Sequence, residues 1–298
     1  MALRRYLQTE VALDHAEGLL SRRDALRKLG LLGLSATAAS GLLAACSAEA
    51  PPAPAPAAPS ATAPVDAGYD IAAATARTSA VTFPGGTGTM QGGYAAPSGT
   101  PTGAVLVVHE NRGLTDHIRA VAGRLAGDGY ATLAPDLLSR VGGTAAAPDA
   151  TAALGGIAAP DLVADLKSGI AELTRRHPGV PLAAMGFCFG GGMVWQLLNS
   201  GTAELKAAAP FYGPVPENPT FAGTTAAVFG VFAEKDARVN AGRERAEAAL
   251  TAAGLTHELY TAPGVDHAFF NDTGARFNQA AAADVYGRTL AWFRTHLV

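Results

Sequence analysis

From residue 104 onward the chain alternates between two kinds of hydrophobic run. Residues 104–108 (Ala-Val-Leu-Val-Val) are continuously apolar over strand length. That is the pattern of a strand buried on both faces of a parallel sheet. Residues 115–128 follow with helical spacing, Ile118, Val121 and Leu125 sharing one face and glycines 127 and 129 marking the stop. Residues 130–134 predict the next strand, ending at Pro135, and 161–177 predict a helix with Leu162, Leu166, Ile170 and Leu173 inward. Strands are expected at 181–185, 206–211, 226–232 and 258–261, and helices around 193–198, 241–253 and 281–297. Residues 136–160 have no clean period, and so long a connection is functional or partly helical. Regular strand–helix alternation predicts an α/β architecture, a mainly parallel sheet with helices on both faces. Chemistry in such a sheet gathers at the carboxyl ends of strands, here after Val108, Met185, Phe232 and Thr261.

The first 65 residues follow another pattern. Ser21-Arg22-Arg23-Asp24-Ala25-Leu26-Arg27-Lys28 precedes an apolar stretch over 29–45 that glycine, serine and threonine interrupt. The stretch is short and rich in small residues for a membrane span. Its paired arginines resemble a twin-arginine export signal. Leu43-Ala44-Ala45-Cys46 resembles a lipoprotein processing box, in which the cysteine becomes the lipidated N-terminus. Ser47-Ala48-Glu49-Ala50 offers ordinary cleavage instead. Residues 47–65 hold six prolines and eight alanines, the composition of an extended tether. The expected organisation is therefore a signal at 1–46, a linker at 47–65 and one domain at 66–298. The product would be exported, periplasmic or at the cell surface, with a possible lipid anchor at Cys46.

Composition narrows the class. Residues 1–46 carry six Lys/Arg against four Asp/Glu, whereas the rest carries 16 against 21. A basic excess of the kind that binds nucleic acid is missing from the domain. Hydrophobic residues are 49% and charged ones 16% of the 298, which excludes wholesale disorder. A domain of roughly 230 residues can bury a core without staples. Only Cys46 and Cys188 occur, so a processed domain would hold one thiol and no internal disulfide. His109, His117 and His177 are scattered and no His/Cys cluster has metal spacing, so neither metal nor organic cofactor is expected. The expected state is a monomer.

The solitary domain thiol sits in Gly186-Phe187-Cys188-Phe189-Gly190-Gly191-Gly192, directly after a predicted strand and before a helix. Gly-x-nucleophile-x-Gly there makes a sharp turn that exposes the nucleophile, and the helix N-terminus favours a thiolate and a developing oxyanion. Taken alone, the pentapeptide also suits a buried structural cysteine. Its partners should follow as acid, then histidine. Ala233-Glu234-Lys235-Asp236 follows one strand, and Asp266-His267-Ala268-Phe269 follows the next. His267 can then take the thiol proton while Asp236 orients the ring. Glu234 and Asp266 are rival acids, though Asp266 adjoins His267 and should point away.

Together with His109-Glu110-Asn111-Arg112-Gly113, Pro135-Asp136-Leu137, Lys235-Asp236 and His267-Ala268-Phe269-Phe270-Asn271-Asp272, these residues resemble the dienelactone hydrolase family of α/β-hydrolases. The resemblance runs from about residue 81 to the end. It implies an α/β-hydrolase fold and a carboxylic ester or lactone hydrolase acting on small molecules. It also implies that Glu110 contacts and helps activate the thiol. The oxyanion hole would be the backbone N–H groups of Phe189 and Asn111. Family members bind a substrate carboxylate with two arginines. Arg140 matches one, whereas Asn271 stands at the other, which argues against dienelactone itself. The reading from another class is a non-catalytic envelope binding protein on a hydrolase scaffold, which an intact Cys-His-Asp set disfavours.

Overall fold

The computed structural model describes residues 3–49, 70–86 and 88–298. Most of the expected linker, 50–65, lies outside them. Three helices come first, α1 (Leu3–Ala16), α2 (Arg22–Leu31) and α3 (Ala36–Glu49), followed by the short α4 (Ile71–Thr75). A hairpin of β1 (Ser79–Gly85) and β2 (Gly88–Ala95) precedes β3 (Gly103–Val108), α5 (Asp116–Gly127) and β4 (Tyr130–Asp136). Then come α6 (Ala150–Gly156), α7 (Ala159–Arg176), β5 (Leu182–Phe187), α8 (Phe189–Asn199) and β6 (Leu205–Phe211). The chain ends with β7 (Ala227–Ala233), α9 (Ala237–Asn240), α10 (Arg243–Ala252), β8 (His257–Ala262) and α11 (Gln279–His296).

One eight-stranded sheet runs in the order β1-β2-β4-β3-β5-β6-β7-β8. From β4 to β8 every pairing is parallel, and only β1–β2 and β2–β4 are antiparallel. Every residue of β3, β4, β5 and β7 is buried, as their unbroken apolar runs require. Leu162, Leu166, Ile170 and Leu173 form the buried stripe of α7, as the helical spacing predicts. The β1–β2 hairpin has no counterpart in the sequence reading. Its strands hold glycine and proline, and β1 is mostly exposed, so no apolar run betrays it.

The aperiodic 136–160 segment is partly helical, with two 3-10 turns (Ser139–Val141 and Thr144–Ala146) and α6. Asp136 organises its start, accepting hydrogen bonds from the N–H of Leu138 at 3.0 Å, the N–H of Thr144 at 2.6 Å and the Thr144 hydroxyl at 2.9 Å.

Residues 3–49 are not a free arm in this structure. Tyr6, Leu7, Val11 and Ala12 of α1 and Ala25 and Leu29 of α2 are buried, and Leu32 just beyond α2 is buried with them. Polar contacts pin the helices down. Arg4 Nε donates to Gly155 O at 3.0 Å, Gln8 Nε2 to Leu32 O at 3.0 Å, and Lys28 Nζ pairs with Asp149 at 2.9 Å. Arg22 and Arg23 open α2 on the exposed surface, and Cys46 is buried in α3. Among the described residues, no helix is long and apolar enough to cross a membrane.

Candidate active site

The sharp turn after β5 places Cys188 at φ 55°, ψ −119°, an unfavourable conformation for a residue with a Cβ. Close packing dictates the glycines around it. A Cβ on Gly190 would lie 2.3 Å from Val108 O, and one on Gly186 would lie 2.4 Å from Gly190 O. Strand β5 and helix α8 therefore sit against the carboxyl end of β3, and Cys188 points from the junction. Phe189 is the first residue of α8, so its N–H has no partner within the helix.

Asp236 follows β7 and caps α9, one carboxylate oxygen accepting from Val239 N–H at 3.1 Å. The other oxygen accepts from His267 Nδ1 at 2.5 Å. Burial pushes the Asp236 carboxyl upward, and the His267 charge more than offsets it, so the group stays below the ordinary carboxylate range. The rival acids are elsewhere. Glu234 accepts from Gly264 N–H at 2.5 Å, and Asp266 is exposed, 3.9 Å from Lys235. A second brace steadies the loop after His267: Asp272 bonds His117 Nδ1 at 2.6 Å and pairs with Arg124.

The structure thus brings Cys188, Asp236 and His267 to one edge of the sheet, but a residue from outside the hydrolase sequence pattern joins them. Glu10 of α1 lies with one carboxylate oxygen 3.6 Å from Cys188 Sγ and 3.5 Å from His267 Nε2. Its other oxygen pairs with Arg238, two residues after Asp236. Tyr6, one turn earlier in α1, places its hydroxyl 3.3 Å from Sγ, and Arg238 stacks over its ring. The Glu10 oxygen, Cys188 Sγ and His267 nitrogen lie within 4.8 Å of one another.

These neighbours set the charges. Burial works against ionising Glu10, but Arg238 and His267 outweigh it, so its pKa is lowered. Burial also lowers His267, yet Glu10 and Asp236 on opposite ring nitrogens raise its pKa well above the usual histidine value. Burial and the Glu10 charge push the Cys188 thiol up. Both shifts disfavour transfer of the thiol proton to the ring, the thiol's by holding the proton and the ring's by leaving less of it neutral.

A cavity of about 220 Å³ opens over this group. It is lined on one side by Glu10, Asp14 and Leu19 and on the other by Glu110, Asn111, Asn271 and Arg276, among others. Three sequence expectations change. Glu110 lines the cavity, but its carboxylate accepts from Asn271 Nδ2 at 2.5 Å, and Glu10 is the carboxylate in contact with the thiol. Asn271 is spent on that bond. Arg140 does not line the cavity. It forks onto Asp165 of α7 with contacts of 2.7 and 2.9 Å, because that buried carboxylate needs a cation. Asn111 lines the cavity where the oxyanion hole was expected.

Glu10 and Tyr6 escaped the sequence reading because they precede the paired arginines and were read as leader. The available signal was Tyr6, Glu10 and Asp14 at four-residue spacing beside Leu7 and Val11, a two-faced helix.

Fold and site together define an α/β-hydrolase with cysteine at the sharp turn between β5 and α8. The chain matches the dienelactone hydrolase family over residues 90–297, and it belongs to that family. It is 31% identical over 216 residues to a Synechocystis sp. protein named "Putative carboxymethylenebutenolidase", covering 65% of this chain and 86% of the relative. An Escherichia coli K12 protein of the same name is 31% identical over 212 residues, covering 66% and 78%. Among solved structures, a "Putative Dienelactone Hydrolase" from Klebsiella pneumoniae superposes with a TM-score of 0.66 at 30% identity, covering 73% of this chain and 98% of that one. This chain is accordingly a carboxylic ester or lactone hydrolase of the dienelactone hydrolase type.

Proposed function

We propose that the protein is an exported hydrolase that cleaves lactones, esters or thioesters of small molecules through Cys188, His267 and Asp236. The observation that carries the reading is Asp236–His267 at 2.5 Å beside a thiol held at positive φ on a strand–helix turn. With the imidazole neutral, His267 Nε2 takes the Sγ proton and the thiolate attacks the substrate carbonyl carbon. The resulting oxyanion is received by the Phe189 N–H at the start of α8, with Asn111 N–H as the second donor. Collapse expels the alcohol oxygen, which takes the proton from His267, and leaves a thioester on Cys188. In a lactone the alcohol stays tethered to that acyl group. Water then loses a proton to His267 and attacks the thioester carbonyl. The acid leaves, and Sγ recovers the proton. Asp236 holds the ring with Nε2 toward sulfur and stabilises its charge in both halves of the cycle.

Intact-mass measurement after saturating p-nitrophenyl acetate tests this. An acetyl adduct is expected on Cys188 and none in Cys188→Ala. Lack of any adduct or turnover in wild type and in Glu10→Ala alike would overturn the reading.

The export part rests on Arg22-Arg23, the apolar stretch behind them and Leu43-Ala44-Ala45-Cys46. Replacing both arginines by lysine should leave full-length precursor in the cytoplasm, and Cys46→Ser should release the domain from the membrane fraction. Normal export of the lysine variant would overturn the twin-arginine reading, and an unchanged membrane fraction would overturn lipidation.

A further inference from the structure

Helix α1 fills the site in a way that the hydrolytic cycle does not need. A carboxylate oxygen 3.6 Å from the nucleophile and 3.5 Å from Nε2 stands where the alcohol oxygen or the attacking water must stand. Both of those oxygens have to exchange a proton with Nε2 while bonding, or about to bond, the carbon attached to sulfur. Glu10 and that oxygen cannot share the place.

The rest of α1 follows the same logic. Glu10 and Asp14 are one turn apart on the same face, and Glu17 lies just past the helix end. Glu10 pairs with Arg238, and Asp14 and Glu17 both pair with Arg276, at 2.9 and 2.6 Å. Three acids of the leader thus engage two arginines of the loops that carry Asp236 and His267. Burial is substantial on both sides, for Glu10 is 5% exposed and Cys188 4%.

Space agrees with charge. A second cavity of about 340 Å³ lies at the other end of α1, between Leu3 and Arg4 of the helix and Met193, Gln196 and Pro214 of the domain. The helix therefore lies between two cavities, with Tyr6 and Glu10 set against the thiol.

We infer that α1 is an autoinhibitory plug, its acidic face covering the thiol and the imidazole so that the chain bearing its leader is latent. The inference rests on the proposed reading of Cys188 and His267 as nucleophile and base, and the export reading supplies the event that removes the plug. Charge works in the same direction: Glu10 raises the His267 pKa and, with burial, that of the thiol, which disfavours transfer of the thiol proton to the ring.

The test uses the full chain and two variants that act on α1 by different routes. Leu7→Asp puts a charge at a fully buried leader position and should lift the helix without touching the site. Glu10→Ala removes the blocking carboxylate. Two rates are read: alkylation of the Cys188 peptide by iodoacetamide, followed by mass spectrometry, and p-nitrophenyl acetate kcat/KM. Each variant should raise both rates at least tenfold. Unchanged rates would overturn the plug. So would a tenfold fall in kcat/KM in a variant whose circular dichroism spectrum and melting transition show it folded, since α1 would then be a component of the catalytic machinery. Faster alkylation with no ester turnover in any form would leave the plug standing as a thiol shield and overturn the hydrolase reading instead.

Discussion

His267 meets a carboxylate on each ring nitrogen, and the two come from different parts of the chain. Asp236 approaches Nδ1 at 2.5 Å from the end of β7 and is itself held by the start of α9. Glu10 approaches Nε2 at 3.5 Å from a helix outside the sheet and is held by Arg238. The groups are chemically alike, and both favour the imidazolium. Position separates them. Asp236 lies behind the ring, where it orients the ring and leaves Nε2 available to the thiol. Glu10 lies in front, where the reacting atoms belong. On the proposed mechanism, a carboxylate beside His267 is thus supportive or obstructive according to the nitrogen it faces.

The comparison breaks most severely if the ring or the sulfur is removed. Cys188→Ala or His267→Ala should each lower kcat about 10³-fold or more, and the double variant should lose little further, because parts of one catalytic unit are not additive. Steady-state p-nitrophenyl acetate hydrolysis checks this. Asp236→Asn should be next, lowering kcat by roughly 10²–10⁴-fold through the wrong tautomer, while Glu10→Ala should raise kcat/KM. Losses of the same sign and size in both would erase the distinction drawn between the two carboxylates.

Acidity gives a finer test. The His267 pKa is raised with Glu10 in place, so Glu10→Ala should move the acidic limb of the kcat/KM profile to lower pH. Stability shifts in a defined sense as well. A raised histidine pKa contributes stability that is complete below about pH 6.5, the unfolded value, and is lost as pH rises through the folded value. Glu10 has a depressed pKa, so its contribution is present above about pH 4.3 and is lost as pH falls through the folded value. Denaturation at several pH values should show wild type losing more stability than Glu10→Ala as pH rises through the folded His267 pKa.

The smallest expected effect on catalysis is at Arg140. Its guanidinium pairs with Asp165 away from the cavity. Arg140→Ala should cost about 2 kcal/mol of stability, the size of a charged hydrogen-bonded contact. It should also leave kcat/KM within about twofold. A large loss of activity with an unchanged melting temperature would return Arg140 to substrate binding.

Much of the hydrolase domain was legible along the chain, because buried parallel strands are continuous apolar runs and the helices between them carry an apolar stripe. The order of Cys188, Asp236 and His267 at strand ends could be read in the same way, since a parallel sheet delivers successive strand ends to one edge. The antiparallel β1–β2 hairpin could not be read, because β1 is mostly exposed and glycines interrupt β2. Arg140 was misplaced because its charge goes to the buried carboxylate of Asp165, and Glu110 reaches the expected cavity but bonds Asn271 there, partners that sequence distance does not reveal.

By itself, then, the sequence determined the α/β architecture, the thiol at its sharp turn and the two loops that meet it, since local periodicity and glycine spacing act over short stretches of chain. Only the tertiary structure decided where α1 goes. Its acidic face and the arginines that receive it are more than 200 residues apart, and nothing local to either announces the match. Long-range charge pairing and burial of Tyr6, Leu7 and Val11 place α1 over Cys188.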